Sequence, residues 1–161
     1  MLIKNGLVFR EDFSLREGDV YTEFDRIIEP KQQLDVLDAS GCIVAPGFID
    51  IHIHGANRSD FCENSLEAHA NMARYLASVG VTSYLGTTMA MKKPALLDMV
   101  RTAGKFMDHP TQDGAIMRGI NLEGPFASLE KKGAMDPNNL IDPDYDFFVQ
   151  LNDACGGRIR L

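Results

Sequence analysis

After residue 45 the sequence alternates between strand-like and helix-like segments, and this alternation constrains the possible folds more than any other feature. Residues 48–54 alternate polar and apolar side chains, residues 81–85 and 116–123 have the composition of further strands, and residues 158–161 look like the start of a fourth. Because strands that alternate with helices pair in parallel through right-handed crossovers, we predict an α/β fold with a parallel sheet. The pattern does not decide between an open sheet and a closed barrel.

Three helices are predicted from apolar faces and from the residues at their ends. Asn64 is the expected N-cap of the first helix, and Gly80 is expected to end it. Pro94 suits the first turn of the second helix. For the third helix we predict Asp142 as the cap and Pro143 as the opening residue.

Residues 1–45 show shorter strand signals and predict a small β-layer ahead of the α/β region. The pair Asn5-Gly6 is typical of a hairpin turn. The other strand-like segments are residues 19–28, 36–39 and 42–44.

Composition excludes several classes of protein. The chain has 16 Lys and Arg against 23 Asp and Glu, a net charge of −7 that argues against nucleic acid or an anionic membrane surface as partner. With 45% hydrophobic residues, the sequence is also not that of a disordered chain. It has no apolar stretch of membrane-spanning length and no signal-peptide pattern, and its three cysteines are not spaced as CxxC. We expect a cytoplasmic protein with reduced thiols.

Two histidines and a glutamate form the most informative pattern for chemistry. His52 and His54 are two residues apart in a predicted strand, so their side chains are expected on the same face. Glu123 ends the third predicted strand, and the ends of parallel strands converge on one edge of a sheet. Barrel enzymes place metal ligands at such an edge. Ordinary histidines in a polar loop and a solvated carboxylate would give the same pattern, so both interpretations stay open.

Other polar residues have less specific interpretations. Asp50 lies two residues before His52, where it either orients the imidazole or caps the strand. His69 lies beside the apolar face of the first predicted helix and is interpreted as a packing or surface residue. Lys131 and Lys132 either attract an anionic substrate or belong to a solvated loop.

Four segments, taken together, resemble a known family. Residues 45–55 (APGFIDIHIHG) are similar to the first-strand signature of the amidohydrolase superfamily, metal-dependent hydrolases on a (β/α)8 barrel. Residues 80–89 (GVTSYLGTTM), 121–126 (NLEGPF) and 131–134 (KKGA) narrow the resemblance to the N-acetylglucosamine-6-phosphate deacetylase family. The resemblance covers the whole chain.

The resemblance implies a fold class, the N-terminal part of a metal-dependent hydrolase (β/α)8 TIM barrel preceded by part of a small β-sandwich. Residues 1–45 would form the partial β-sandwich layer. Residues 46–161 would form the first three βα units and the start of the fourth strand. The family's remaining metal histidines, its catalytic aspartate and most of its phosphate-binding groups would lie beyond Leu161. We therefore expect an N-terminal fragment that contains no catalytic residue and is inactive alone.

The resemblance also implies an activity, hydrolysis of the acetamide of N-acetylglucosamine 6-phosphate to glucosamine 6-phosphate and acetate. The implied cofactor is a divalent metal, Zn or Fe, which this chain alone would bind weakly or not at all. Glu123 matches the family's metal-ligating glutamate, and His52 and His54 match a pair that holds a second metal in some members. Ala134 and Met135 match positions that contact the sugar, although a histidine commonly stands where this chain has Met135. The expected partners are an amino-sugar phosphate and further copies of the chain in a homo-oligomer.

Two alternatives stay open. Met135 favours a related amidohydrolase that acts on a different amide or a cyclic amide, whereas the Leu-Glu-Gly-Pro motif at residues 122–125 opposes it. The other alternative is a non-catalytic, truncated chain that self-associates through an unclosed sheet.

Overall fold

The computed structural model describes residues 1–24, 26–32 and 35–161. Asp25, inside the strand-like segment 19–28, lies outside the described residues. The chain divides into two units at the bond between Pro46 and Gly47. Among the described residues, no helix has the length and apolar character needed to cross a membrane.

The first unit is a sheet of short strands. Its longest pair, β1 (Leu2–Phe9) and β2 (Leu15–Glu23), is antiparallel. β3 (Arg26–Ile27) pairs with β2, whereas β4 (Val36–Asp38) and β5 (Ile43–Val44) pair in parallel with β1. The described residues thus form the small β-layer that the sequence predicts.

The predicted hairpin turn at Asn5-Gly6 is wrong. Both residues lie inside β1, where the pairing with β2 shifts register after Ile3. Asn5 has a φ of 64°, in the left-handed region that asparagine tolerates better than most residues. A Cβ on Gly6 would lie 2.6 Å from the side chain of Val44, so glycine allows β5 to approach. The Asn-Gly pair marks a β-bulge, and the chain reverses instead after Phe9.

A parallel sheet organises the second unit. The central strand β9 (Val81–Thr87) pairs in parallel with β6 (Phe48–Ile53) on one side and with β10 (Ile116–Asn121) on the other. Ile159 then forms a parallel bridge with Ile120. Residues near the end of the chain therefore begin a fourth parallel strand, as predicted.

Helices alternate with these strands. The short hairpin of β7 (Gly55–Ala56) and β8 (Ser59–Asp60) follows β6 and leads into α1 (Leu66–Ser78). α2 (Lys93–Asp108) separates β9 from β10, and α3 (Tyr145–Ala154) precedes the fourth strand segment. This alternation confirms the predicted α/β class. The loop before α3 contains two single 3-10 turns, Leu129–Lys131 and Pro137–Asn139.

The helix ends agree only in part with the predictions. Pro94 lies in the first turn of α2, as predicted. The cap of α1 is Ser65, whose Oγ accepts a hydrogen bond of 3.2 Å from the amide three residues later. An N-cap needs extended backbone, which Ser65 has, whereas Asn64 has a φ of 49°. The cap of α3 is Asp144 rather than Asp142, again with extended backbone.

The hydrophobic core of the second unit lies between its sheet and its helices. Gly86 leaves room for the ring of Phe61, since a Cβ on Gly86 would lie 2.1 Å from that ring. His69 is fully buried, with its ring centroid 5.1 Å from that of Phe61 and 5.6 Å from that of Phe106, so it is a packing residue as interpreted. The largest fully buried side chains also include those of Tyr84, Met72, Leu96, Met99, Ile120 and Leu151.

Candidate metal site

Three side chains from two strands converge at the carboxyl end of the parallel sheet. His52 lies in β6, His54 follows β6 directly, and Glu123 follows β10 after one intervening residue. Glu123 Oε2 is 2.9 Å from His54 Nε2 and 3.1 Å from His52 Nε2, and the two imidazole nitrogens are 3.2 Å apart. In the part of the chain that the structure describes, these side chains are the one cluster of three that could hold a metal ion.

The hydrogen bond of His54 to its neighbour strand indicates where its ring proton lies. Nδ1 is 3.2 Å from the carbonyl oxygen of Thr87, an atom that only accepts hydrogen bonds. Nδ1 is therefore the donor, and in the neutral imidazole Nε2 has a lone pair directed at Glu123. A lone pair 2.9 Å from a carboxylate oxygen is unfavourable. A positive charge between the three side chains removes this conflict, and a bound cation supplies one.

Spacing and exposure of the cluster suit a cation. Nitrogen and oxygen ligands bind Zn²⁺ at roughly 2.0–2.1 Å, which places two ligand atoms of one ion roughly 3 Å apart. The side chain of His52 is 53% exposed and that of Glu123 is 35% exposed, so an ion reaches the cluster from solvent. Two imidazoles and one carboxylate are donors typical of zinc and iron sites.

Three buried polar residues, which the sequence analysis did not single out, connect the strand ends around the cluster. Thr87 Oγ1 accepts a hydrogen bond of 3.0 Å from the backbone N–H of Ile53. Asn121 Nδ2 donates one of 3.0 Å to the carbonyl oxygen of Ile51. Thr88 donates through Oγ1 to the loop that follows β10. The signal for these residues in the sequence is a polar side chain directly after a buried strand position.

The backbone after His54 is also fixed. Its carbonyl oxygen accepts a hydrogen bond of 2.7 Å from the N–H of Phe61, at the far end of the β7–β8 hairpin. A Cβ on Gly55 would lie 2.5 Å from the carbonyl oxygen of Ser59, so this tight hairpin requires glycine. His54 is therefore held by two hydrogen bonds, one at its ring and one at its backbone carbonyl.

Asp50 contacts the backbone of the strand that carries His52. Its Oδ1 accepts a hydrogen bond of 3.0 Å from the N–H of His52. The two roles predicted for Asp50 are orienting the imidazole of His52 and capping the strand. The structure shows its carboxylate in contact with the backbone of the strand.

The two residues expected to contact a sugar lie in the loop after β10. Ala134 is exposed, whereas Met135 is only 4% exposed. Lys132 Nζ donates a hydrogen bond of 3.0 Å to the carbonyl oxygen of Met135, and Lys131 is exposed. The contact of Ala134 and Met135 with a sugar stays a prediction.

Comparisons with curated proteins and with solved structures point to the same family. No family model matches the chain. The N-acetylglucosamine-6-phosphate deacetylase of Bos taurus is 31% identical over 160 residues, which cover 97% of this chain and 39% of that protein. The crystal structure of N-acetyl-D-glucosamine-6-phosphate deacetylase from Mycobacterium smegmatis matches with a TM-score of 0.83 and 27% identity, covering 99% of this chain and 45% of that one.

A further solved structure adds a ligand. It is a mutant of the Mycobacterium smegmatis enzyme in complex with N-acetyl-D-glucosamine-6-phosphate, and it matches with a TM-score of 0.80 and 24% identity over 99% of this chain and 42% of that one. The chain spans about 40% of the length of the curated relatives it matches. Sequence and structure thus confirm the predicted resemblance and fold class: over its whole length, the chain is similar to the N-acetylglucosamine-6-phosphate deacetylases.

Proposed function

We propose that the chain is the N-terminal portion of a metal-dependent deacetylase, and that the full-length enzyme hydrolyses the acetamide of N-acetylglucosamine 6-phosphate to glucosamine 6-phosphate and acetate. The proposal rests on one observation, the convergence of Glu123 Oε2 with the Nε2 atoms of His52 and His54. The names of the relatives support the substrate, as does the sugar phosphate in the Mycobacterium smegmatis complex.

In this proposal Glu123, His52 and His54 hold a divalent ion, Zn or Fe. When bound, the ion would act as a Lewis acid that activates water at neutral pH. The residues of this chain hold and orient that ion. The His54 ring is oriented by its bond to the Thr87 carbonyl, and the half-exposed ring of His52 leaves the ion accessible to substrate.

We place the general acid–base outside residues 1–161. The support is that the cluster consists of three ligating side chains, with no further His, Cys, Asp or Glu of the described residues joining it. A closed zinc site usually has four protein ligands. We therefore expect the chain alone to bind metal weakly and, without a general acid–base, to release no acetate.

Met135 supports a second candidate, a related hydrolase that acts on a different amide or a cyclic amide. Its thioether is a weak acceptor that cannot donate to a sugar hydroxyl as a histidine does. Under the first proposal, Ala134 and Met135 contact the sugar through packing. Turnover of acetylated amino-sugar phosphates against cyclic ureides by the full-length protein separates the two candidates.

We also propose that copies of the chain associate, in the cytoplasm. No described strand pairs with the outer edge of β6, and the apolar side chains of this strand, Phe48, Ile49 and Ile51, are 71%, 72% and 56% exposed. An unpaired edge with exposed apolar residues is a template for another strand. Asp50 on β6 is complemented in charge by Arg160, since Arg158 is already paired with Asp108 of its own chain. The edge formed by residues 158–161 of a second copy is therefore the proposed occupant. A reducing compartment is supported by the three cysteines, none of which forms a disulfide.

The metal site is tested by histidine NMR during titration with Zn²⁺. We expect the ring signals of His52 and His54 to shift, while those of buried His69 and exposed His109 stay in place as internal controls. Glu123→Gln should reduce the shifts of the His52 and His54 signals, because it removes the negative charge. It keeps the shape of the side chain. Unchanged signals of all four histidines at the highest Zn²⁺ concentration would contradict the proposal.

A further inference from the structure

We infer that Thr87 is a positioning residue for the metal site, because it fixes both the backbone position and the ring tautomer of His54. This inference rests on the proposed function, in which His54 Nε2 binds the ion. Thr87 is fully buried at the end of β9 and does not belong to the cluster of potential ligands.

The first contact is between the Thr87 side chain and the backbone between the two histidines. Thr87 Oγ1 lies 3.0 Å from the N–H of Ile53. The pairing of β6 with β9 shifts register between Asp50 and Ile53, so the regular ladder is interrupted at this point. The threonine hydroxyl takes the place of a ladder carbonyl as the acceptor. It therefore determines where β6 ends relative to β9.

The second contact is between the Thr87 backbone and the ring of His54. The Thr87 carbonyl oxygen lies 3.2 Å from His54 Nδ1 and accepts its hydrogen. In the neutral ring this leaves Nε2 with the lone pair that a metal ion requires. Because the carbonyl and the hydroxyl belong to one residue, the position of the strand and the tautomer of the ring are set together.

Substitution of Thr87 separates these roles from simple packing. Thr87→Val keeps the branched shape but removes the acceptor of a partly buried N–H, which must then find another partner. Thr87→Ser keeps the hydroxyl and loses one methyl group. Thr88→Val is the matched control for the tautomer measurement only, since Thr88 is equally buried but donates to the carbonyl of Gly124, beside Glu123, rather than contacting His54 or Ile53.

The direct readout is the tautomer of His54 in the metal-free protein, measured by ¹H–¹⁵N correlation NMR at about pH 8, above the ordinary histidine pKa of about 6.5. We expect hydrogen on Nδ1 in the wild type, in Thr87→Ser and in Thr88→Val. In Thr87→Val we expect a mixture of tautomers. Hydrogen on Nε2 of His54 in the wild type would overturn the inference even if every variant failed to fold.

The second readout is affinity for Co²⁺, followed by its visible absorption. Partners of metal-ligating histidines typically contribute roughly tenfold to hundredfold in affinity, and we expect a loss in that range for Thr87→Val with recovery in Thr87→Ser. A folded Thr87→Val with the wild-type tautomer and unchanged affinity would overturn the inference. Absence of Co²⁺ binding in the wild type would contradict the proposed metal site, whereas hydrogen on Nδ1 in that same protein would still support the positioning by Thr87.

Discussion

The ring centroids of His69 and Phe61 lie 5.1 Å apart in the core of the second unit. His69 is fully buried, and neither of its ring nitrogens has a hydrogen-bond partner. Burial lowers the pKa of His69 to about 4, and the charge of Glu63 opposes this shift only in part. The folded chain therefore keeps this histidine neutral at neutral pH.

We expect the free energy of unfolding to fall as the pH drops from about 6.5 to about 4. Below about pH 6.5 the unfolded chain binds a proton at His69, whereas the folded chain does not until about pH 4, so acid favours unfolding. Across this whole pH window the free energy of unfolding should fall by about 3 kcal/mol, at about 1.36 kcal/mol per pKa unit. Urea unfolding at several pH values measures this slope.

Two variants identify the source of that slope. His69→Leu should reduce the slope, because no group titrates in its place. The carboxyls whose pKa is lowered in the folded chain, such as those of Asp113 and Asp144, still contribute at the acid end of the window. His109→Asn should retain the slope, because His109 is exposed. A slope between pH 6.5 and 4 that is the same in the wild type and in His69→Leu would assign it to other groups.

We expect Gly86→Ala to destabilise the second unit. The new Cβ would lie 2.1 Å from the ring of Phe61, so the ring or the strand must move. Overpacking of this kind typically costs about 1–3 kcal/mol. Thermal unfolding measures the loss, and Phe61→Leu in the same chain should recover part of it because the two residues are in direct contact. Additive losses in the double variant would argue against this contact.

We expect no tightly bound metal in the chain of 161 residues. Three ligating side chains leave the ion with exchangeable positions, and dialysis removes weakly held ions. Elemental analysis after dialysis against metal-free buffer should show far less than one ion per chain. One tightly held ion per chain, lost in Glu123→Ala, would disprove this.

We expect no acetate release from N-acetylglucosamine 6-phosphate by the same chain. The cluster is proposed to supply metal ligands only, and the general acid–base is proposed to lie elsewhere. The deacetylase of Bos taurus serves as the positive control. Acetate release above buffer that disappears in both His52→Ala and Glu123→Ala would show that the chain is catalytic by itself.

We expect association to increase with concentration. Sedimentation equilibrium should give a mass above the 17.8 kDa of one chain at high concentration. Ile49→Lys places a charge on the exposed edge strand and should shift the equilibrium toward the monomer, since charged residues on an edge oppose strand pairing. Leu129→Lys, at a similarly exposed position in the loop after β10, is the control. A mass of 17.8 kDa at every concentration would exclude the proposed pairing.

The sequence predicted the elements of the second unit well because their apolar periodicity is set by burial against one another. It predicted their ends less well, because a cap depends on backbone angles that a single sequence does not specify. Asn64 and Asp142 are good cap residues, but Ser65 and Asp144 have the extended backbone. The Asn5-Gly6 pair predicts a hairpin turn, which is wrong, because only strand pairing distinguishes a bulge from a hairpin.

The convergence of His52, His54 and Glu123 could be predicted from topology, since parallel strands end at one edge. The role of Thr87 could not. Its contact with Ile53 depends on a register shift between two strands, and that shift has no signature in the residues themselves. Residues that support a site through backbone contacts are therefore the part that sequence alone does not reveal.

The hydrogen bond from the N–H of Phe61 to the carbonyl of His54 has a thermodynamic consequence. Phe61 is anchored by its ring in the core beneath α1, so the same residue links the packing of the core to the backbone of His54. If His54 binds an ion as proposed, this link would couple ion binding to folding. A substitution that loosens the core would then lower the affinity of His54 for the ion, and a bound ion would protect the core against unfolding.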